Sequence, residues 1–139
     1  APAQSNRLID MTCRGFALET ASESPAPGGG SISAYMGALA AALGTMVANL
    51  SSHKPGWDER WEEFGNQAEE GQQHLKTLLA LVDEDTAAFN RIMDAFKMPK
   101  GTEAEKAERS AAIQAATLYA TEVPLRTMKA AALCGNFVS

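Results

Sequence analysis

From Trp57 to Phe96 the chain places Trp57, Trp61, Phe64, Ala68, Gly71, Leu75, Leu78, Val82, Asp85, Phe89, Ile92 and Phe96 at a strict alternation of four and three. Only a helix gathers positions with that spacing onto one side, so this stretch predicts one long helix with a heptad-like seam. At 1.5 Å per residue it would run roughly 60 Å, with a bend expected near Gly65 or Gly71. A seam of that length outruns a compact monomer of 139 residues, so partner helices from a second subunit are expected.

Proline and glycine elsewhere fall in a few clusters: Pro25-Ala26-Pro27-Gly28-Gly29-Gly30, Pro55-Gly56, Pro99-Lys100-Gly101 and the lone Pro124. Clusters of this kind punctuate helices. The segments between them keep helical periodicity and contain almost no alternating β-branched runs, which predicts an all-α bundle of long antiparallel helices, dimeric, in a single domain over residues 1–139. Residues 1–7 form a short linker in this reading. A first helix is expected over about 6–21. A second, rich in alanine and glycine, starts at Ser31 as its N-cap. It carries a large stripe (Ile32, Met36, Leu39, Leu43, Met46, Leu50) expected to fill a core, and a small stripe (Ala34, Gly37, Ala41, Gly44, Ala48) open to close backbone approach. Such a helix is expected to be central and buried on most sides. The last helix opens on Thr102-Glu103-Ala104-Glu105, a capping box. It is expected to kink or restart at Pro124, and its signals run out at Gly135.

The function classes narrow from here. A net charge of −5 is a poor match to the phosphate backbone, so no nucleic acid partner is expected. Ser31 to Leu50 is uncharged and long enough to span a bilayer, yet it is largely alanine and glycine and no basic cluster flanks it, so no membrane is expected. Two cysteines, Cys13 and Cys134, are too few for a disulfide framework and fit a reducing, cytoplasmic setting. His53 and His74 have no companions at ligand spacing, and no metal is expected.

Asp85 is the one carboxylate in an otherwise apolar or small seam. An unpaired buried charge is costly, so such a residue is paired, protonated or functional. One reading has local twist turning it outward, or capping a kink beside Asp83 and Glu84. The other has it as an acid or base in an apolar wall. Gly28, Gly29 and Gly30 lead into the second helix, where they either connect flexibly or aim amides at an anion; no Walker or dinucleotide pattern is present. Ser31 suits a cap better than a nucleophile, since no histidine lies near it in sequence. Lys54 and Arg109 suit either a substrate carboxylate or a salt bridge to a neighbouring glutamate.

Taken in order, Ser24-Pro25-Ala26-Pro27-Gly28-Gly29-Gly30-Ser31, Met46-Val47-Ala48-Asn49-Leu50-Ser51, Leu81-Val82-Asp83-Glu84-Asp85-Thr86-Ala87-Ala88-Phe89, Met98-Pro99-Lys100-Gly101-Thr102 and Val123-Pro124-Leu125 resemble the cyclodeaminase domain of formiminotransferase-cyclodeaminase. The resemblance covers about residues 8–129. It implies a helical dimer that binds a tetrahydrofolate derivative near the subunit contact and needs no metal or redox cofactor. It implies closure of 5-formiminotetrahydrofolate to 5,10-methenyltetrahydrofolate with release of ammonia, a lyase step linked to histidine degradation. Close relatives hydrolyse the methenyl compound instead, and the other reading of the chain is a non-catalytic helical module that dimerises or docks through the long seam. The resemblance assigns the catalytic aspartate to Asp85, with Asp83 as the fallback. Gly28, Gly29, Gly30 and Ser31 would then face an anionic or carbonyl part of folate, and Lys54 and Arg109 its glutamate end. It also implies a formiminotransferase domain in a parent chain. Cys134-Gly135-Asn136 resembles the family's Gly-Asn segment but follows Leu125 closely; the Ser-Asp segment and the last helices of the family domain are not in this sequence.

Overall fold

The structure, a computed structural model, describes residues 6–138. The first five residues of the expected linker lie outside the described residues. Four helices follow in order: α1 (Cys13–Thr20), α2 (Gly29–Ser52), α3 (Trp61–Phe96) and α4 (Glu103–Val138), with single 3-10 turns at Leu8–Asp10 and Asp58–Arg60. Among the described residues there is no strand, so the all-α expectation holds. The single first helix expected over 6–21 is instead two pieces. Thr12 caps α1 by accepting the Gly15 N–H at 2.9 Å, which separates it from the turn before it.

The helix ends follow local chemistry. Lys54-Pro55-Gly56-Trp57 makes a turn closed by the Trp57 N–H on the Lys54 carbonyl, with proline at its second position and Gly56 at φ +90° in its third. A side chain would be strained at that φ, and the arrangement is that of a type II turn. The capping box forms as expected: Glu105 N–H donates to Thr102 Oγ1 at 3.1 Å, and Glu105 Oε2 accepts from the Thr102 and Gly101 amides. Pro124 is carried inside α4, which continues to Val138, past the expected end at Gly135. Packing explains that persistence, because Ala130 and Cys134 are buried in the core and Cys134 Sγ approaches the Gly37 carbonyl.

Helix α3 is the spine, contacting α2 and α4. Its seam is inside at Phe64, Ala68, Gly71, Leu78 and Val82, and leaves the core at Trp61, Phe89 and Phe96. The middle of the seam is therefore filled by helices of the same chain, while Trp61, Phe89 and Phe96 stay exposed. On α2 the two stripes exchange roles. Ala34, Ala38, Ala41 and Ala48 are buried, while Met36, Leu39, Leu43, Met46 and Leu50 are exposed, so α2 is buried on one side and not on most. Small residues let α3 approach closely: a Cβ added at Gly37 would meet Leu78 Cδ2 at 3.2 Å. Helix α2 is also long and apolar enough to cross a membrane by length and composition alone.

Leu78 is fully buried at this crossing. Leu78→Ala is expected to destabilise the chain by about 2–5 kcal/mol, lost transfer energy plus a cavity that the surrounding alanines do not close. Urea unfolding followed by circular dichroism measures it, and a loss under about 1 kcal/mol would place Leu78 outside a packed core.

Candidate active site: a carboxylate on a glycine cradle

Each step along a helix turns about 100°, so three consecutive residues look in three directions. The acidic run of α3 uses this to reach three different elements. Asp83 turns to the N-terminal segment, where Oδ1 accepts the Leu8 N–H at 2.6 Å and Oδ2 accepts the Ile9 N–H at 3.3 Å. Glu84 turns to α4, accepting the Tyr119 hydroxyl at 2.8 Å and a short hydrogen bond from Arg126. Asp85 turns to the start of α2.

There the chain meets it with glycine. Gly28 is the N-cap of α2 in extended backbone and offers no side-chain cap. The first intrahelical bond is Ile32 N–H to the Gly28 carbonyl, so the amides of Gly29, Gly30 and Ser31 have no partner within the helix. The Asp85 carboxylate rests against this turn. A Cβ added at Gly30 would stand 2.7 Å from Asp85 Oδ2 and closer still to Oδ1, and one at Gly28 would stand 4.0 Å from Oδ2. Gly30 is thus the residue whose missing side chain makes room for the acid, whereas Gly29 has nothing within 4 Å. The positive end of the α2 dipole also attracts a carboxylate here. Asp85 is half-buried, and among the described residues no side chain pairs with it. An open cleft of about 350 Å³ is bordered by Ala26, Asp83 and Thr86 together with Leu8 and Met11; Asp85 is not one of the residues that line it.

Ser31 lies two residues inside the helix and is not its N-cap, which corrects that expectation. Its hydroxyl is fully buried and donates to the Val82 carbonyl at 2.6 Å, with Thr86 Oγ1 at 3.4 Å. It locks α2 to α3 one turn before Asp85. Lys54 and Arg109 are not brought to Asp85 within this chain. Lys54 follows the far end of α2, its Nζ 5.1 Å from the Trp57 ring. Arg109 donates from Nε and Nη2 to the Phe96 carbonyl, 3.3 Å each, and closes the C-terminal end of α3. Among the described residues there is no group of three His, Cys, Asp or Glu placed to hold a metal ion.

The Glu84 cluster is the part that sequence spacing did not single out. Arg91 stacks over the Tyr119 ring at 4.4 Å and adds its charge to the group. Burial alone would push the Glu84 carboxyl up. The hydrogen bonds from Tyr119 and Arg126, with the charges of Arg126 and Arg91, outweigh it and hold the group below the ordinary glutamate range. The hydrogen bond to Glu84 in turn raises the Tyr119 hydroxyl, helped by burial. The signal for this pair was weak: a glutamate on α3 and a tyrosine 35 residues on have no fixed spacing.

A carboxyl depressed in the folded state adds stability above its unfolded pKa, and that stability is lost as pH falls through the folded value. Tyr119→Phe removes one of the bonds that depress Glu84. Between about pH 5 and pH 2 the wild type should therefore lose more stability than Tyr119→Phe, measured by urea unfolding at stepped pH. Parallel losses would show that the Glu84 pair does not contribute to folding.

Fold and site together define an all-helical protein that presents one acid at a glycine-built helix start. The family model described as formiminotransferase-cyclodeaminase matches residues 12–138. The chain belongs to the formiminotransferase-cyclodeaminase family. It is 41% identical over 105 residues to a methenyltetrahydrofolate cyclohydrolase of Methylorubrum extorquens, covering 76% of this chain and 50% of that protein. It is 36% identical over 125 residues to a mouse formimidoyltransferase-cyclodeaminase, covering 90% of this chain and 23% of that protein. The crystal structure of a formiminotetrahydrofolate cyclodeaminase from Thermotoga maritima superposes with a TM-score of 0.71 at 25% identity, over 94% of this chain and 74% of that one. The chain thus spans half or less of the length of these curated relatives.

Proposed function

We propose that this chain acts on the one-carbon unit of a tetrahydrofolate derivative, with Asp85 as the group that moves the proton. The observation that carries the reading is the Asp85 carboxylate seated on Gly30, with no side-chain partner among the described residues, in a chain of this family. The fold is read as an antiparallel bundle working as a homodimer, the exposed apolar stripe of α2 being the face in need of a partner. A cytoplasmic location fits the two free cysteines.

Two reactions share the same centre. In the cyclodeaminase reaction, N10 of 5-formiminotetrahydrofolate attacks the formimino carbon and closes the ring. The formimino group enters protonated, as its amidinium cation; N10 gives up its proton, the formimino nitrogen gains it, the carbon–nitrogen bond to it breaks, and ammonia leaves. The 5,10-methenyl cation remains. A single carboxylate can take the first proton and return it to the second nitrogen, and its charge stabilises the cationic carbon throughout. In the cyclohydrolase reaction, water adds to that same carbon, the carboxylate takes one of its protons, and one ring carbon–nitrogen bond breaks as the remaining hydroxyl proton passes to the departing nitrogen, leaving a formyl group. The 41% identity to a protein named as a cyclohydrolase favours keeping this second reading. In both, Asp83 positions the N-terminal segment, since both of its oxygens already accept backbone amides. The free amides of Gly29 to Ser31 face a carbonyl or anionic part of the folate.

The absorbance of methenyltetrahydrofolate separates the two. Its appearance from 5-formiminotetrahydrofolate, with ammonia released, marks a cyclodeaminase. Its loss from added methenyl compound, faster than without protein, marks a cyclohydrolase. Neither change, with no folate bound, would overturn the proposal.

A further inference from the structure

No residue from 6 to 26 is buried, whereas α2, α3 and α4 each bury several. Leu8 and Ile9 tie this segment to α3 by donating their amides to Asp83. Leu8, Ile9 and Phe16 also rest on the core, the Phe16 ring 5.5 Å from that of Tyr35. The hydroxyls of Thr12, Thr20 and Ser22 bond within the segment itself. A cavity of about 90 Å³ remains beneath it, between Leu8, Ile9 and Phe16 on one side and Tyr35 and Val82 on the other. Close-packed interiors leave few voids larger than a water, so lifting this segment forfeits less contact than parting two of the long helices. Few buried apolar contacts and exposed backbone are the marks of a part that opens by itself.

The open cleft has the same two sides. Leu8 and Met11 belong to the segment, Asp83 and Thr86 to α3, and Ser24 and Ala26 to the stretch that joins α1 to α2. Anything lodged there touches both segment and helix, and so binds better when the two are together. Residues 22–25 are exposed and lie outside any helix, which makes them the place to bend. They lead into the Gly28 to Gly30 turn on which Asp85 rests. We propose that residues 7–21 form a hinged cover, latched by Asp83, that opens as one piece about residues 22–25 and is held shut by folate in the cleft. Covers of this kind admit substrate when open and keep water from it when shut. The closing by ligand rests on the folate reading above; the opening does not. Asp83 is then a positioning residue, its two oxygens engaged by the cover, while Asp85 keeps its own over glycine.

Amide hydrogen exchange, read residue by residue by NMR, tests the cover without any need for turnover. In the wild type the α1 amides should exchange at least about tenfold faster than those of α3 around Leu78. Breaking one end should loosen the other. Asp83→Ala should speed exchange at residues 17–21 by about 10–100-fold, as the loss of a hydrogen bond to a charged acceptor implies. Asp83 bonds to Leu8 and Ile9 and not to α1, so that change is carried by the segment as a whole. Phe16→Ala should in turn speed the Leu8 and Ile9 amides, and the amides around Leu78 should remain the slowest in both variants. Exchange of α1 at the rate of the core would mean that it parts only on global unfolding. Exchange of α1 indifferent to Asp83→Ala would mean that the segment frays piecemeal. Either result overturns the cover. The ligand arm uses 5-formyltetrahydrofolate, a stable analogue, at ten times its dissociation constant, where it should slow α1 exchange about tenfold. Bound analogue with α1 exchange unchanged would overturn closing by ligand and leave the folate reading standing. No binding of the analogue would remove the folate reading and the closing with it, and the two variants still decide whether the cover opens.

Discussion

Asp85→Asn is expected to lower turnover by about 10²–10⁴-fold, the usual contribution of a positioned acid or base, and to leave the fold nearly unchanged. The amide has the shape of the acid, so it fills the space over Gly30 without a clash. It carries no charge for the α2 dipole, which removes about 0.3–1 kcal/mol of attraction at this helix end. It also cannot take the proton that must leave N10 or water. The informative comparison is between kcat and folate affinity, with urea unfolding alongside. A collapse in kcat at a nearly constant unfolding midpoint identifies proton transfer. Full activity in Asp85→Asn would remove Asp85 from the chemistry. Because Asp83 is held by two amides of the N-terminal segment, Asp83→Asn is expected to act on stability more than on rate.

Gly30→Ala should be almost as damaging, and for a reason of space alone. Its Cβ would enter the volume of the Asp85 carboxylate, and helix backbone cannot retreat as a flexible side chain can. Either Asp85 swings off the turn or α2 shifts against α3, where the Ser31 hydroxyl is already tied to Val82. The clash is with the end of the Asp85 side chain, so the acid swings aside at little cost in stability, and once displaced it should lose turnover to an extent approaching Asp85→Asn. Gly29→Ala is the control. Nothing lies within 4 Å of its added Cβ, and alanine in the first turn of a helix is favoured over glycine by up to about 1 kcal/mol. If the two alanines behave alike, the glycines act as a flexible connector and not as a cradle.

Much of this architecture was legible before any coordinates. The four-and-three spacing from Phe64 to Val82 predicts α3 and the buried side it keeps. The capping box at Thr102 and Glu105 marks the start of α4, and the triple glycine marks the start of α2. The odd carboxylate in the seam was also visible, as a residue in need of an explanation. Each of these is a local property: a repeat, a cap, or a break in a repeat.

Other features had no local signature. Helix α2 offers two stripes, and periodicity says only that each is a face. That the alanine stripe turns inward follows from how closely α3 can approach, with Leu78 seated on Gly37. The destinations of Asp83, Glu84 and Asp85 were equally hidden, because the identical charges of three neighbours do not say which helix lies at each 100° turn. The bond from Tyr119 to Glu84 and the contact of Gly30 with Asp85 link residues 35 and 55 positions apart. The sequence by itself therefore determined the long helices, the cap of α4 and the family to which the chain belongs. Only the tertiary structure decided which acid is tied down and which is left open on glycine, since that depends on long-range packing and no spacing rule encodes it.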